Sequence, residues 1–149
     1  MALPSIFDNT TTQKHLARLE TLTANAKPKW GKMNAPQMLA HLNVAYASSA
    51  GPKKGFMTRL MMKMLVKNIV VGEKPYAKNS RTAPEFIIAD ERVFEKEKAN
   101  LISNIKDIEA KGSNYFSDRE NPAFGVLTTQ EWSNLFYKHT EHHFEQFGI

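Results

Sequence analysis

The chain has 149 residues, 42% of them hydrophobic, and a formal net charge of +5 at pH 7, a size that predicts one core and a single domain over residues 1–149. It contains no cysteine, which excludes disulfides, zinc–thiolate sites and cysteine nucleophiles, so any metal would be held by His, Asp or Glu. The opening residues lack both a basic stretch and a long apolar one, and no apolar run approaches the roughly 18 residues of a membrane span, so a soluble, cytoplasmic protein is expected.

Charge is unevenly distributed. Residues 1–81 hold 13 Lys+Arg against 3 Asp+Glu (+10), and residues 82–149 hold 7 against 12 (−5). The simplest reading packs basic N-terminal helices beside acidic C-terminal ones, with contact to nucleic acid or an anionic surface as the weaker alternative.

Asn9 to Ala26 opens on cap-type residues, and Leu16, Leu19 and Leu22 recur at helical spacing, so an amphipathic helix is predicted up to Lys27-Pro28. His15, among Thr, Gln and Lys, is expected to be exposed and inert. Asn34-Ala35-Pro36 is a helix start, and Ala35 to Ala50 carries His41 on the face of Met38 and Ala45. Phe56 to Val71 reads as one helix, with a basic stripe of Arg59, Lys63 and Lys67 opposite Met61, Met64, Leu65 and Ile69. The bland interpretation makes it a surface helix whose methionines fill core gaps. The alternatives are an anionic membrane or a docked partner, and the Met-rich helix is also a place where a homodimer would form.

Gly72 to Pro84 is aperiodic and reads as a loop. Asp90 to Lys111 is a helix with acidic residues in its first turn and Val93, Phe94, Leu101, Ile105 and Ile108 on its apolar side, stopped by Gly112. Asn114 to Leu127 reads as a second loop without strand periodicity. Thr128-Thr129 then caps a final helix, Glu131 to Phe147. Four or five helices and two long loops predict an all-α bundle.

The final helix carries three of the five histidines. At about 100° per residue, His139 and His143 fall within the apolar stripe of Trp132, Leu135, Phe136 and Phe147, whereas His142 lies at its edge. An unpaired polar group buried there costs about 1–3 kcal/mol, so each imidazole needs a partner. Two histidines at i, i+4 plus a third from another helix, His41, form a recurring metal site with positions left open. Zn²⁺, Ni²⁺, Fe²⁺ and Mn²⁺ all accept imidazole. Buried structural histidines or surface histidines are the competing interpretations. No HExxH arrangement supports a zincin protease, and no glycine-rich phosphate loop or nucleophile elbow is present.

Residues 30–42 (WGKMNAPQMLAHL), 121–128 (NPAFGVLT) and 137–148 (YKHTEHHFEQFG) resemble an uncharacterised branch of the DinB-like superfamily, which includes the YfiT-like proteins, along nearly the whole chain. The resemblance implies a four-helix bundle of up-down-down-up type, here with an extra short helix, holding a divalent metal (Zn, Ni, Fe or Mn) on His41, His139 and His143. It further implies a metal-dependent thiol S-transferase acting on small electrophiles, since characterised relatives include bacillithiol S-transferases and a mycothiol-dependent maleylpyruvate isomerase. A low-molecular-weight thiol would be the cofactor, with Tyr46 and Gln146 lining its pocket and Lys27, Lys29, Lys32, Lys53 and Lys54 taking its carboxylates. That branch commonly has His where Asn121 stands, so no functional role is carried over to this position. The alternatives to an enzyme are a metal-stabilised, non-catalytic bundle and an anion- or nucleic-acid-binding module. Nucleic acid is the weakest of these, because no stacking aromatics interleave with the basic residues.

Overall fold

Two capping boxes set the ends of the helices that matter most. The Asn34 side chain accepts from the backbone N–H of Gln37 (2.9 Å) while Gln37 Oε1 accepts from the N–H of Asn34 (3.1 Å), which fixes the start of α2, Ala35–Ser48. Thr128 and Glu131 make the same reciprocal pair at the start of α6, Thr129–Phe147. Each satisfies donors that a helix N-terminus otherwise leaves orphaned.

The computed structural model, which describes residues 2–149, is mostly helical. Besides α2 and α6 it contains α1 (Asn9–Thr21), α3 (Phe56–Leu65), α4 (Lys67–Val71), a 3-10 turn at Pro84–Phe86 and α5 (Phe94–Phe116). Its strands are β1 (Glu120–Asn121) and β2 (Gly125–Val126), paired antiparallel with Glu120 opposite Val126. Among the described residues no helix is long and apolar enough to cross a membrane.

α5 packs mainly along α2 and also touches α1 and α6, while α6 packs against α2 and α4. The centre is aromatic: Trp132 and Phe136 stack at 5.9 Å, and Phe116 meets both, at 5.2 and 5.8 Å. These rings, with Phe144, Leu101, Ile105, Leu39 and Leu42, are almost wholly excluded from water. Burial of such side chains, about 1.5–3 kcal/mol each, is what clamps α2, α5 and α6 together.

Several expected boundaries move. α1 ends at Thr21 rather than Ala26, because Leu22 turns extended and is buried instead of continuing the helix. The single helix expected at 56–71 breaks at Val66 (φ −116°, ψ −32°). Beyond the break α4 turns onto α6, where Asn134 Nδ2 donates to the carbonyl of Val71 (2.8 Å) and Lys138 Nζ to those of Ile69 and Gly72 (2.7 and 2.6 Å). Gly112 does leave the helical region (φ 71°, ψ 172°), yet α5 resumes for another turn and delivers Phe116 to the core. Val93 lies before α5 and is exposed.

The loop expected at 114–127 contains the hairpin. Asn121, 5% exposed, accepts from the backbone N–H groups of Ala123 (2.9 Å) and Phe124 (3.2 Å), so it shapes the turn as an Asx motif, and Gly125 closes it at φ +77°. His15 is the clearest reversal. It is 1% exposed, pairs through Nε2 with Glu141 (2.8 Å), and packs between Tyr137 and Phe144. A partner 126 residues away takes one ring nitrogen of the side chain whose polarity made it look like a surface residue, while Nδ1 is buried without a hydrogen-bond partner among the described residues.

Candidate metal centre

α2 contributes His41 and the face of α6 turned toward it contributes His139 and His143. One ligand nitrogen from each lies within 4.8 Å of those of the other two. Ring centroids are 4.7 Å apart for His41–His143, 4.9 Å for His41–His139 and 5.0 Å for His139–His143. The i, i+4 pair meets the histidine of a helix about one hundred residues earlier.

Hydrogen bonds fix two of the three tautomers. The Phe86 carbonyl can only accept, so His41 Nδ1 carries the proton and donates to it (2.8 Å). Gln146 Nε2 donates to the Trp30 carbonyl (2.7 Å), which leaves its Oε1 to accept from His143 Nδ1–H (2.8 Å). The Nε2 atoms of His41 and His143 therefore keep lone pairs. This is the arrangement by which metal-ligating histidines are held, with the distal N–H on a carbonyl.

His139 Nε2 lies 2.8 Å from His41 Nε2. With the His41 lone pair fixed, His139 closes that distance by donating its own Nε2–H. Two nitrogens on one cation at about 2.0–2.1 Å stand about 3.0–3.4 Å apart, so the same pair would take a cation after a shift of a few tenths of an ångström and a change of His139 to the tautomer with its proton on Nδ1. The donor set, three imidazoles and no carboxylate, suits Zn²⁺, Ni²⁺ or Fe²⁺.

The electrostatics agree. Burial lowers the pKa of all three: His143 falls to about 3, His139 falls well below its ordinary value with the neighbouring imidazoles adding to the effect, and His41 falls although its bond to Phe86 opposes the change. They are thus neutral at pH 7, the form that ligates a metal.

The surroundings are aromatic. Tyr76 lies 6.0 Å from His139 and 5.7 Å from His142, Trp30 5.7 Å from His142, and Phe86 6.2 Å from His41. Lys78 Nζ sits 4.7 Å over the Trp30 ring and Lys138 Nζ 4.7 Å over that of Tyr76. Lys138 is 5% exposed, and burial lowers its pKa to about 8. Its ammonium holds the end of α4, and with it the segment that carries Tyr76.

Of the other residues singled out from the sequence, Gln146 contacts a ligand directly. Tyr46 does not meet a triad imidazole through its hydroxyl, which bonds Thr140 Oγ1 (3.0 Å), the residue next to His139, while its ring packs on Phe136. Burial pushes its pKa up to about 12. Lys29 joins the end of α6 through its backbone N–H to the Gln146 carbonyl (2.7 Å). Lys53 is taken by Glu120 and Lys54 by Glu85. His142 stays outside the triad, between Trp30 and Tyr76.

Trp30, Tyr76 and Phe86 were not singled out as site residues from the sequence. Tyr76 and Phe86 lie in stretches without periodicity, and Trp30 stood in a recognisable motif without an assigned role. Gly31 supports the same wall: at φ +82°, a Cβ there would come 2.6 Å from Gln146 Nε2, so only glycine leaves Gln146 its bond to Trp30.

A family model described as Protein of unknown function (DUF1569) matches residues 5–148. Neither the curated proteins nor the solved structures compared with the chain yield a match.

Proposed function

Taking as premise that the chain belongs to the DUF1569 family, we propose that it is a divalent-metal-binding helical protein whose cation is held by His41, His139 and His143. The observation that carries this is the pair of imidazoles, His41 and His143, whose Nδ1–H groups are committed to Phe86 and Gln146 so that both present an Nε2 lone pair, that of His41 accepting from His139 until a cation takes its place. A metal-free cluster would commit these N–H groups as well; the convergence of a third imidazole, with one ligand nitrogen of each histidine within 4.8 Å of the other two, favours the cation. In this reading the helices form the up-down-down-up bundle of the DinB-like superfamily, and the protein is a metal-dependent thiol S-transferase for small electrophiles.

The cation, when bound, supplies Lewis acidity and favours the anionic form of a thiol. The chain's own residues do the rest. Trp30, Tyr76 and Phe86 exclude water from the ligand face, Gln146 orients His143, and Tyr46 braces α6 through Thr140. Lys78, over the Trp30 ring, places positive charge beside that wall for a carboxylate on the thiol or its acceptor.

Metal content of tag-free protein, compared with that of His41→Ala, tests the centre. The expected result is about one divalent ion per chain in the former and little in the latter; equal content in both overturns the assignment. Thermal shift with candidate thiols, with and without chelator, tests the enzymatic part, and a response that ignores the chelator counts against it. The 2.8 Å His41–His139 contact favours a second reading, a metal-free hydrogen-bonded cluster, which predicts that added Zn²⁺ leaves the melting temperature unchanged.

A further inference from the structure

We propose that α3 docks the protein on an anionic phospholipid surface. At about 100° per residue, Phe56, Leu60, Met64, Met57, Met61 and Leu65 occupy successive positions across one half of α3. Each is between 42% and 78% exposed, and Ile69 of α4 adds another 63%. No residue of α3 is buried; from the opposite half Met62, with Val66 at the break, packs against the core. The expectation that these methionines fill core gaps therefore holds only for Met62. A soluble chain rarely leaves so continuous an apolar face to water unless something covers it.

Charge and shape name the occupant. From Gly51 to Gly72 there is no Asp or Glu, whereas Lys53, Lys54, Arg59, Lys63 and Lys67 all fall there. Carboxylates from the hairpin, the 3-10 turn and α6 pair four of these: Glu120 with Lys53 and Arg59, Glu85 with Lys54, and Glu131 with Lys67. Lys63, on the edge of the apolar half, has no carboxylate partner among the described residues. Beside it a cavity of about 260 Å³ is lined by Phe56, Leu60, Phe124 and Gly125 together with Arg59 and Lys63. An apolar slot edged by Lys63, whose charge no carboxylate of the described residues takes, suits an acyl chain that carries an anionic head, and it is too small for a protein helix about 10 Å across. A second copy of the chain packed through the same face would instead set one +5 molecule against another, across a segment without Asp or Glu. A basic, apolar-faced helix lying in the head-group region is the geometry of an interfacial anchor, strengthened by anionic lipid and weakened by salt.

Vesicle co-sedimentation tests this with phosphatidylcholine alone and with phosphatidylcholine mixed with phosphatidylglycerol. The protein is expected to pellet with the mixed vesicles and not with the neutral ones. Leu60→Asp/Met64→Asp is expected to lower the bound fraction at least about tenfold, because it takes two apolar side chains out of the lipid, and Lys63→Glu to lower it less. Both positions of the double variant are exposed, so its thermal melt should match wild type; if it does not, Lys63→Glu and added salt still decide the question. Protein left in the supernatant with both vesicles, or equal binding to both, overturns the proposal. So does a concentration-dependent dimer in sedimentation velocity that the double variant abolishes, which would give the face to a second copy.

Discussion

Replacing Gln146 by leucine separates a residue that positions a ligand from one that only fills space. Gln146 is 4% exposed and bridges His143 Nδ1 (2.8 Å) and the Trp30 carbonyl (2.7 Å). Leucine keeps the bulk and removes both bonds. Leaving the Trp30 carbonyl and the His143 N–H unpaired costs about 1–3 kcal/mol each, so the apo-protein should lose about 2–4 kcal/mol with some relaxation. Its melting temperature should fall accordingly.

Metal affinity should fall about 10- to 100-fold, the usual loss when the hydrogen-bond partner of a ligating histidine is removed, equivalent to about 1.4–2.8 kcal/mol. Gln146→Glu makes the control: it keeps an acceptor for His143 while losing the donor to Trp30, so affinity should recover ahead of stability. Competition against a chromophoric chelator gives the affinity and chemical denaturation gives the stability. If Gln146→Leu destabilises the fold but binds metal as tightly as wild type, Gln146 does not orient His143 and the proposed ligand geometry is wrong.

Gly31→Ala places a Cβ 2.6 Å from Gln146 Nε2 at φ +82° and should cost about 1–3 kcal/mol; its metal affinity should fall in parallel, measured by the same competition. The pH dependence of the apo-protein follows from His143, whose pKa drops to about 3 on burial. Below about 6.5 the unfolded chain takes up a proton that the folded one refuses, so stability declines as pH falls from there toward about 3. The slope is about 1.4 kcal/mol per pH unit for this histidine alone, with His41 and His139 adding in the same direction. Denaturation midpoints at pH 7.5 and 5.5 check it, and an apo-protein more stable at pH 5.5 contradicts the buried neutral triad. Asn121→Ala removes the acceptor of two backbone N–H groups and should destabilise by about 1–2 kcal/mol with metal content unchanged; a loss of metal in a folded variant would give Asn121 a role in the centre. Lys138→Met strips the carbonyls of Ile69 and Gly72 of their donor and should loosen the α4 end, read as faster amide exchange at Val70 to Glu73.

The sequence by itself determined the elements whose signals are local. Asn34-Ala35-Pro36 and Thr128 with Glu131 start helices through bonds that span three residues, and the 3.6-residue period places Leu101, Ile105 and Ile108 on one face wherever the helix goes. It also flagged His139 and His143, because two imidazoles on an apolar stripe require a partner in any fold. What it left open depends on contacts between distant segments. His15 is polar in its local context, and only Glu141, brought beside it by the packing of α1 near α6, makes its burial affordable. The break at Val66 is decided by Asn134 and Lys138 reaching the carbonyls at the end of α4. The methionines of α3 have a helical period that serves a core or an exposed face equally well, and only the fold left Met57, Met61 and Met64 exposed. The tautomers of the centre are the extreme case: they are set by the Phe86 and Trp30 carbonyls, backbone atoms whose positions no side-chain pattern encodes, so the chemistry of His41 and His143 emerged only when the chain closed around them.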